Sequence, residues 1–243
     1  MDMDALTATL QMELPVASEK MTLGIARDGL VIVDVVNGFA TTGGGNLAPL
    51  VENAQVAATV AESDRLARRF TQQGWPVLAL LDTHEPGKPE PPYPPHCEVG
   101  TGEEELVPAL KWLEDAEGAT LIRKDCINGF VGAIDAAGQN QVVAWVNEHG
   151  LENILVIGLC TDICVMDFVL TMLSARNHGL MPSCRDIFVH QGACATYDLP
   201  RAALESLALP ATAHHPQALT HHMGLYFMAA RGARIVGDVA IDS

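Results

Sequence analysis

Basic residues are scarce in this chain of 243 residues: 14 lysines and arginines face 30 aspartates and glutamates, a net charge of −16 with histidine neutral. A surface of that sign repels phosphate backbones and anionic lipid, so neither nucleic acid nor a membrane surface is expected as a partner. Cysteine is sparse as well. Six in a chain of this length are too few for a disulfide scaffold and point to a reducing, cytoplasmic compartment. No run approaches the roughly 18 consecutive apolar residues of a membrane span. The first residues carry Asp2, Asp4 and Glu13 without a basic n-region or an apolar h-region, so a secretory signal is not expected. What is plentiful is apolar: 49% of the residues are hydrophobic. At this size about 70% of the unfolded chain's surface is buried on folding, which suffices for a large core and excludes a disordered chain.

Short apolar runs alternate with helical patterns. Residues 30–33, 77–81, 119–122 and 154–157 are continuous hydrophobic runs, with weaker ones at 187–189 and 233–236. Continuous rather than alternating hydrophobicity marks strands buried on both faces, as in a parallel sheet. Helical stretches are expected at about 48–73, 103–113, 138–149, 162–177 and 217–231. The alternation predicts one α/β domain of three layers, a mostly parallel sheet with helices on both faces. Residues 28–243 form this domain, and residues 1–27 are set apart as a partly ordered N-terminal extension.

Two segments resist regular structure. Residues 85–95 (EPGKPEPPYPP) hold six prolines and read as a stiff, extended loop. Residues 41–46 (TTGGGN) lack both the Lys-Ser/Thr of a P-loop and the spacing of a dinucleotide fingerprint, which argues against a phosphate cradle.

In an open parallel sheet, ligands bind beyond the carboxyl ends of the strands. Asp34, Asp82 and Lys124 each close an apolar run, and Cys164 follows the fourth run in the segment GLCTDIC. Thr161 or Asp162 is the expected N-cap of the next helix, which places Cys164 in its first turn. A neutral-pH thiolate needs a pKa drop of about two units, roughly 2.7 kcal/mol. A helix dipole supplies ~0.3–1 kcal/mol, up to ~2 when partly buried. The dipole falls short, so a nearby cation or a proton acceptor is required, and Lys124 and Asp34 are available for those roles. Taken singly, each has an ordinary reading: a small buried hydrophobe, a turn former, a solvated strand end.

A second cluster is Asp82-Thr83-His84 with His96 after the proline loop. Residues two apart share a strand face, so Asp82 and His84 can address one ion, and the stiff loop can return His96 to it. A carboxylate with two imidazoles suits zinc, iron or manganese, or else makes a hydrogen-bonded structural cluster. Glu90 lies inside the same loop. The pairs His214-His215 and His221-His222 read as surface or capping histidines, since helical neighbours point in different directions.

The ordered set Asp34 with Phe39 five residues on, Asp82-x-His84, PPHC at 94–97 followed by Gly100-Thr101, Lys124, and GLCTDIC at 158–164 resembles the isochorismatase-like cysteine hydrolases. Within them it is most similar to the plant-type nicotinamidases. The likeness spans about residues 29–232. It implies a catalytic triad of Asp34, Lys124 and Cys164 and an oxyanion hole from the backbone N–H groups of Cys160 and Cys164. It also implies a cis peptide at Leu159-Cys160. A divalent metal, usually zinc, is implied at Asp82, His84 and His96, with Glu90 in place of the histidine that many relatives carry in this loop. Phe39, Tyr93 and Leu159 then contact substrate, Tyr93 standing where many relatives have tryptophan. The expected reaction is hydrolysis of nicotinamide to nicotinate and ammonia through a thioester, as in NAD salvage, with no organic cofactor. A homo-oligomer is compatible with this reading. The alternatives are a sibling amidohydrolase acting on a ureido or carbamoyl amide, metal-hydroxide hydrolysis with Cys164 merely structural, and a catalytically silent zinc-binding module.

Overall fold

Seven strands hydrogen-bond in the order β1-β7-β6-β5-β2-β3-β4, and every adjacent pair is parallel. They are β1 (Glu19–Leu23), β2 (Asp28–Val33), β3 (Val77–Asp82), β4 (Ala119–Lys124), β5 (Asn153–Leu159), β6 (Asp186–Ala195) and β7 (Arg234–Ile241). The helices are α1 (Met3–Glu13), α2 (Asn37–Ala40), α3 (Ala54–Gln72), α4 (Gly129–Gly132), α5 (Gln141–Glu148), α6 (Cys164–His178), α7 (Arg201–Ser206) and α8 (Gln217–Ala229). These elements come from a computed structural model, which describes residues 3–88, 90–206 and 209–241.

The continuous apolar runs are explained by burial on both sides. In β2, Val31 and Val33 face one layer with Leu78, Leu80, Ile154 and Val156, against Phe168 and Met172 of α6 and Leu225 of α8. Their neighbours Leu30 and Ile32 face the other with Ala79, Leu81, Leu155 and Ile157, against Leu66 and Phe70 of α3. Side chains alternate across a strand, so a central strand between two helical layers needs apolar residues at every position. Truncating a fully buried ring such as Phe70 or Phe168 to alanine typically costs about 3–5 kcal/mol.

Two expectations are corrected. No helix spans 103–113. Pro108 removes an amide donor, Glu103 and Glu104 accept from the backbone of Cys97, Gly100 and Gly102, and a short 3₁₀ turn follows at Lys111–Asp115. Carboxylates occupied in this way fold a loop rather than a helix. The 1–27 segment also contributes to the sheet itself, since β1 pairs with β7 along its length.

The strand order reverses between β2 and β5, and such a switch point opens a crevice at the carboxyl ends. Val33 and Gly158 face each other there. A Cβ on Gly158 would lie 2.1 Å from the Val33 carbonyl oxygen, and its φ is 127°. Only glycine allows this approach. Beyond it, Asp34 takes a left-handed φ of 53°, which costs a non-glycine residue roughly 1–2 kcal/mol. Its N–H donates to the Leu80 carbonyl. The two backbones thus turn toward one another at the crevice.

Candidate active site

Asp82 and Lys124 are register partners on β3 and β4. Both side chains point to the α6 layer, and the Lys124 ammonium donates to Asp82 Oδ1 at 2.7 Å and to the Cys126 carbonyl at 3.0 Å. It also pairs with Asp34 Oδ2 at 2.9 Å. Lys124 is 1% exposed, so the solvated strand end is excluded. Cys164, 8% exposed, stands at the start of α6 beside this group.

The charges are set by burial and by one another. Burial pushes the Asp34 pKa up to about 7, against the pull of Lys124. Neither oxygen of Asp34 has an aligned hydrogen bond among the described residues, so a lone pair remains for a proton. Burial also drives the Cys164 thiol well above the ordinary range, with Lys124 opposing. It disfavours the ammonium of Lys124, yet the surrounding anionic groups hold that charge firmly. The group therefore stores its proton on sulfur, next to a carboxylate poised to take it.

The start of α6 departs from expectation. Its N-cap is Ile163, which makes no side-chain cap bond. Thr161 and Asp162 are drawn elsewhere: the Thr161 hydroxyl lies 2.8 Å from His221 Nδ1, and Asp162 pairs with His215. The Cys160 carbonyl accepts from Ile163 and Val165. The N–H groups of Cys160 and Cys164 have no acceptor among the described residues. Free donors of this kind, at the start of a helix, can meet a negative charge. The Leu159-Cys160 peptide is cis.

Next to the ion pair lies the second cluster. Asp82 Oδ2 is 3.0 Å from His84 Nε2 and 3.2 Å from His96 Nε2. Donors around one ion at ~2.05 Å are about 3.3 Å apart in a tetrahedron, so the three atoms fit a single cation. They form a buried group with all donor atoms within 4.8 Å of one another. His96 Nδ1 lies 2.8 Å from the Pro94 carbonyl, which can only accept, so Nδ1 carries hydrogen and Nε2 is the ring nitrogen turned to the cluster. Burial opposes charge on Asp82, but Lys124, His84 and His96 outweigh it and hold the carboxyl well below its usual range. Burial likewise lowers His96, and Asp82 and Glu90 overcome this and push it up to about 10. A cluster that raises a histidine so far is short of one positive charge.

Glu90 Oε2 is 3.7 Å from His84 Nε2 and 3.6 Å from His96 Nε2, while its Oε1 accepts from the Ile127 N–H at 2.8 Å. The proline loop is held in place by that bond, by Asn46 donating to the Pro95 carbonyl, and by the Lys88–Asp125 pair. The glycines at 43–45 make no phosphate cradle: a Cβ on Gly45 would meet the Glu103 carboxylate at 2.5 Å. The Phe39 and Tyr93 rings flank His96, with centroids 5.6 and 6.1 Å away. Leu159, with Val56 and Ala195, backs Phe39 with apolar side chains.

His214 does cap a short turn at Ala211–Ala213, whereas His215 and His222 are neither surface nor capping residues. His215 stacks on Tyr197 and His222 Nε2 lies 3.0 Å from the Leu14 carbonyl. Their partners lie far off in sequence, and adjacency in the chain gave no sign of them.

Among known proteins, the isochorismatase domain profile matches residues 28–217. The chain is 51% identical over 237 residues to Nicotinamidase 1 of Arabidopsis thaliana, covering 96% of both chains. The crystal structure of nicotinamidase PncA from Bacillus subtilis superposes with a TM-score of 0.63 at 23% identity, covering 86% of this chain and 99% of that one. A pyrazinamidase of Pyrococcus horikoshii, solved in complex with zinc, gives 0.59 at 20% identity, covering 87% and 99%.

Proposed function

Since the chain belongs to the isochorismatase family, we propose that it is a nicotinamidase, hydrolysing nicotinamide to nicotinate and ammonia through a thioester on Cys164. The observation that carries this reading is the meeting of a buried thiol, a carboxylate with a pKa near 7 and two free N–H groups, directly beside a three-donor cation site. Asp34 accepts the thiol proton as sulfur attacks the amide carbon. The oxyanion is met by the N–H groups of Cys160 and Cys164; each such donor is typically worth about 2.7–4 kcal/mol. Asp34 then returns its proton to the departing nitrogen, and ammonia leaves. A water molecule that gives its proton to Asp34 attacks the thioester carbon, nicotinate departs, and the proton passes back to sulfur. Lys124 keeps Asp34 and Asp82 together throughout. Phe39 and Tyr93 hold the pyridine ring, and Leu159 closes the apolar side.

Asp82, His84 and His96 hold the metal, zinc in our reading, with Glu90 as a fourth ligand. When bound, the metal supplies a Lewis-acidic position that orients the ring nitrogen. Ammonia release from nicotinamide, with and without chelator and thiol alkylation, tests the whole assignment. His84→Ala should empty the site, seen as loss of bound metal, and raise KM at least about tenfold. Iodoacetamide should still alkylate Cys164 at the parent rate. Full metal content in this variant would remove His84 from the ligand set.

The raised pKa of Asp34 sets the pH profile. Only its ionised form accepts a proton, so kcat/KM should fall on the acid side with a midpoint near 7. A midpoint near 4, the range of an ordinary exposed carboxylate, would exclude Asp34 as the base.

A further inference from the structure

His215, in the segment leading into α8, carries a charge fixed by its two contacts. Its Nδ1 lies 2.9 Å from the Tyr197 carbonyl oxygen and its Nε2 lies 2.8 Å from Asp162 Oδ2. A carbonyl oxygen and an ionised carboxylate only accept, so both ring nitrogens must donate and the ring is an imidazolium. The Tyr197 ring covers it, stacked at 3.8 Å and 13°. Asp162 is ionised in turn: burial works against its charge, and the bond and charge of His215 outweigh burial. Its second oxygen is buried with no hydrogen-bond partner among the described residues. Among the described residues His215 is the cation paired with it, and the Thr196 hydroxyl also favours its charge. Of the other groups around this pair, the Asp198 carboxyl favours the charge on His215 and Thr220 offers only a hydroxyl. His221, facing Asp162 from α8, is pushed by burial down to about 4 and is neutral.

We propose that His215 is a positioning residue for the hydrolysis, cancelling the charge of Asp162 in the loop that carries Cys164 and the two free N–H groups. This deepens the nicotinamidase reading and rests on it. Asp162 sits two residues before Cys164, and an unbalanced carboxylate there opposes both the thiolate and the oxyanion. In a partly buried site such a neighbouring charge typically disfavours a second anion by roughly a hundredfold. The loop cannot relax away, because α8 presses on it: a Cβ on Gly224 would lie 2.8 Å from the Asp162 Cα.

Four proteins decide the matter: the parent, His215→Gln, Asp162→Asn and the double variant. Each is assayed for kcat and KM on nicotinamide and, without substrate, for the rate of Cys164 alkylation by iodoacetamide. His215→Gln should lose about a hundredfold in kcat with KM within about threefold, and its alkylation should slow. Adding Asp162→Asn should restore kcat to within about tenfold of the parent and restore alkylation, an outcome that a merely structural histidine does not produce. Parent-like kcat in His215→Gln, or a double variant no better than that single one, would overturn the proposal. Should His215→Gln fail to fold, Asp162→Asn alone decides: kcat within about tenfold of the parent supports charge balance, and a hundredfold loss refutes it. A parent that releases no ammonia refutes the substrate assignment instead, and the alkylation rates still settle the role of the charge.

Discussion

Replacing Cys164 with alanine is expected to lower kcat on nicotinamide by roughly 10⁴-fold or more, since the covalent route is lost and only binding and the anion hole remain. The side chain is small and 8% exposed, so the fold should survive the loss of one sulfur atom. Bound metal should also remain, because Asp82, His84 and His96 do not depend on the sulfur. Rapid quenching of the parent enzyme followed by mass spectrometry should reveal an acyl adduct on the peptide containing Cys164. Near-normal turnover in Cys164→Ala would end the covalent scheme.

The second large effect concerns stability. Lys124→Met keeps the shape of a buried side chain and deletes its charge, leaving Asp34 and Asp82 to face each other without the ammonium at 2.9 and 2.7 Å. Breaking a buried pair from one side typically costs about 3–5 kcal/mol. For a domain of this size that corresponds to a fall in Tm of roughly 10 °C. The sign of its pH dependence follows from Asp34. A carboxyl whose folded pKa is raised destabilises the fold increasingly as pH climbs above its unfolded value. The variant should therefore melt furthest below the parent at pH 8 and recover toward pH 5. An unchanged Tm at pH 8 would show that the ammonium is not needed to hold the two carboxylates, and activity should vanish in either case.

Much of this arrangement was legible in the chain because a parallel sheet writes its strands plainly. Continuous apolar runs ending in Asp34, Asp82 and Lys124 marked both the core and the crevice, since strand ends are where such sheets bind ligands. The proline loop was legible for the same reason: a segment that cannot be helix must be a tether, and it does return His96 to His84. Other features depend on contacts that a linear reading does not contain. Asp162 looked like a cap because its type and position suit one, yet a histidine 53 residues away claims it. The 103–113 stretch read as a helix, and Pro108 with two occupied carboxylates decided otherwise. The short strand β1 gave no signal, because only Met21 and Leu23 of its five residues are buried, too few to make an apolar run.

That strand has a practical bearing on where this protein begins as a folding unit. The isochorismatase domain match starts at residue 28, but β1 shields the outer rim of β7 with five residues and pins it through Glu19 to Arg234 and Lys20 to Asp238. Its own free side is short, charged and interrupted by an irregularity at Glu19 and Lys20, which makes it a poor template for another chain. A truncation at the profile boundary would bare the eight-residue rim of β7 and invite self-association strand to strand, far from a catalytic crevice left chemically intact.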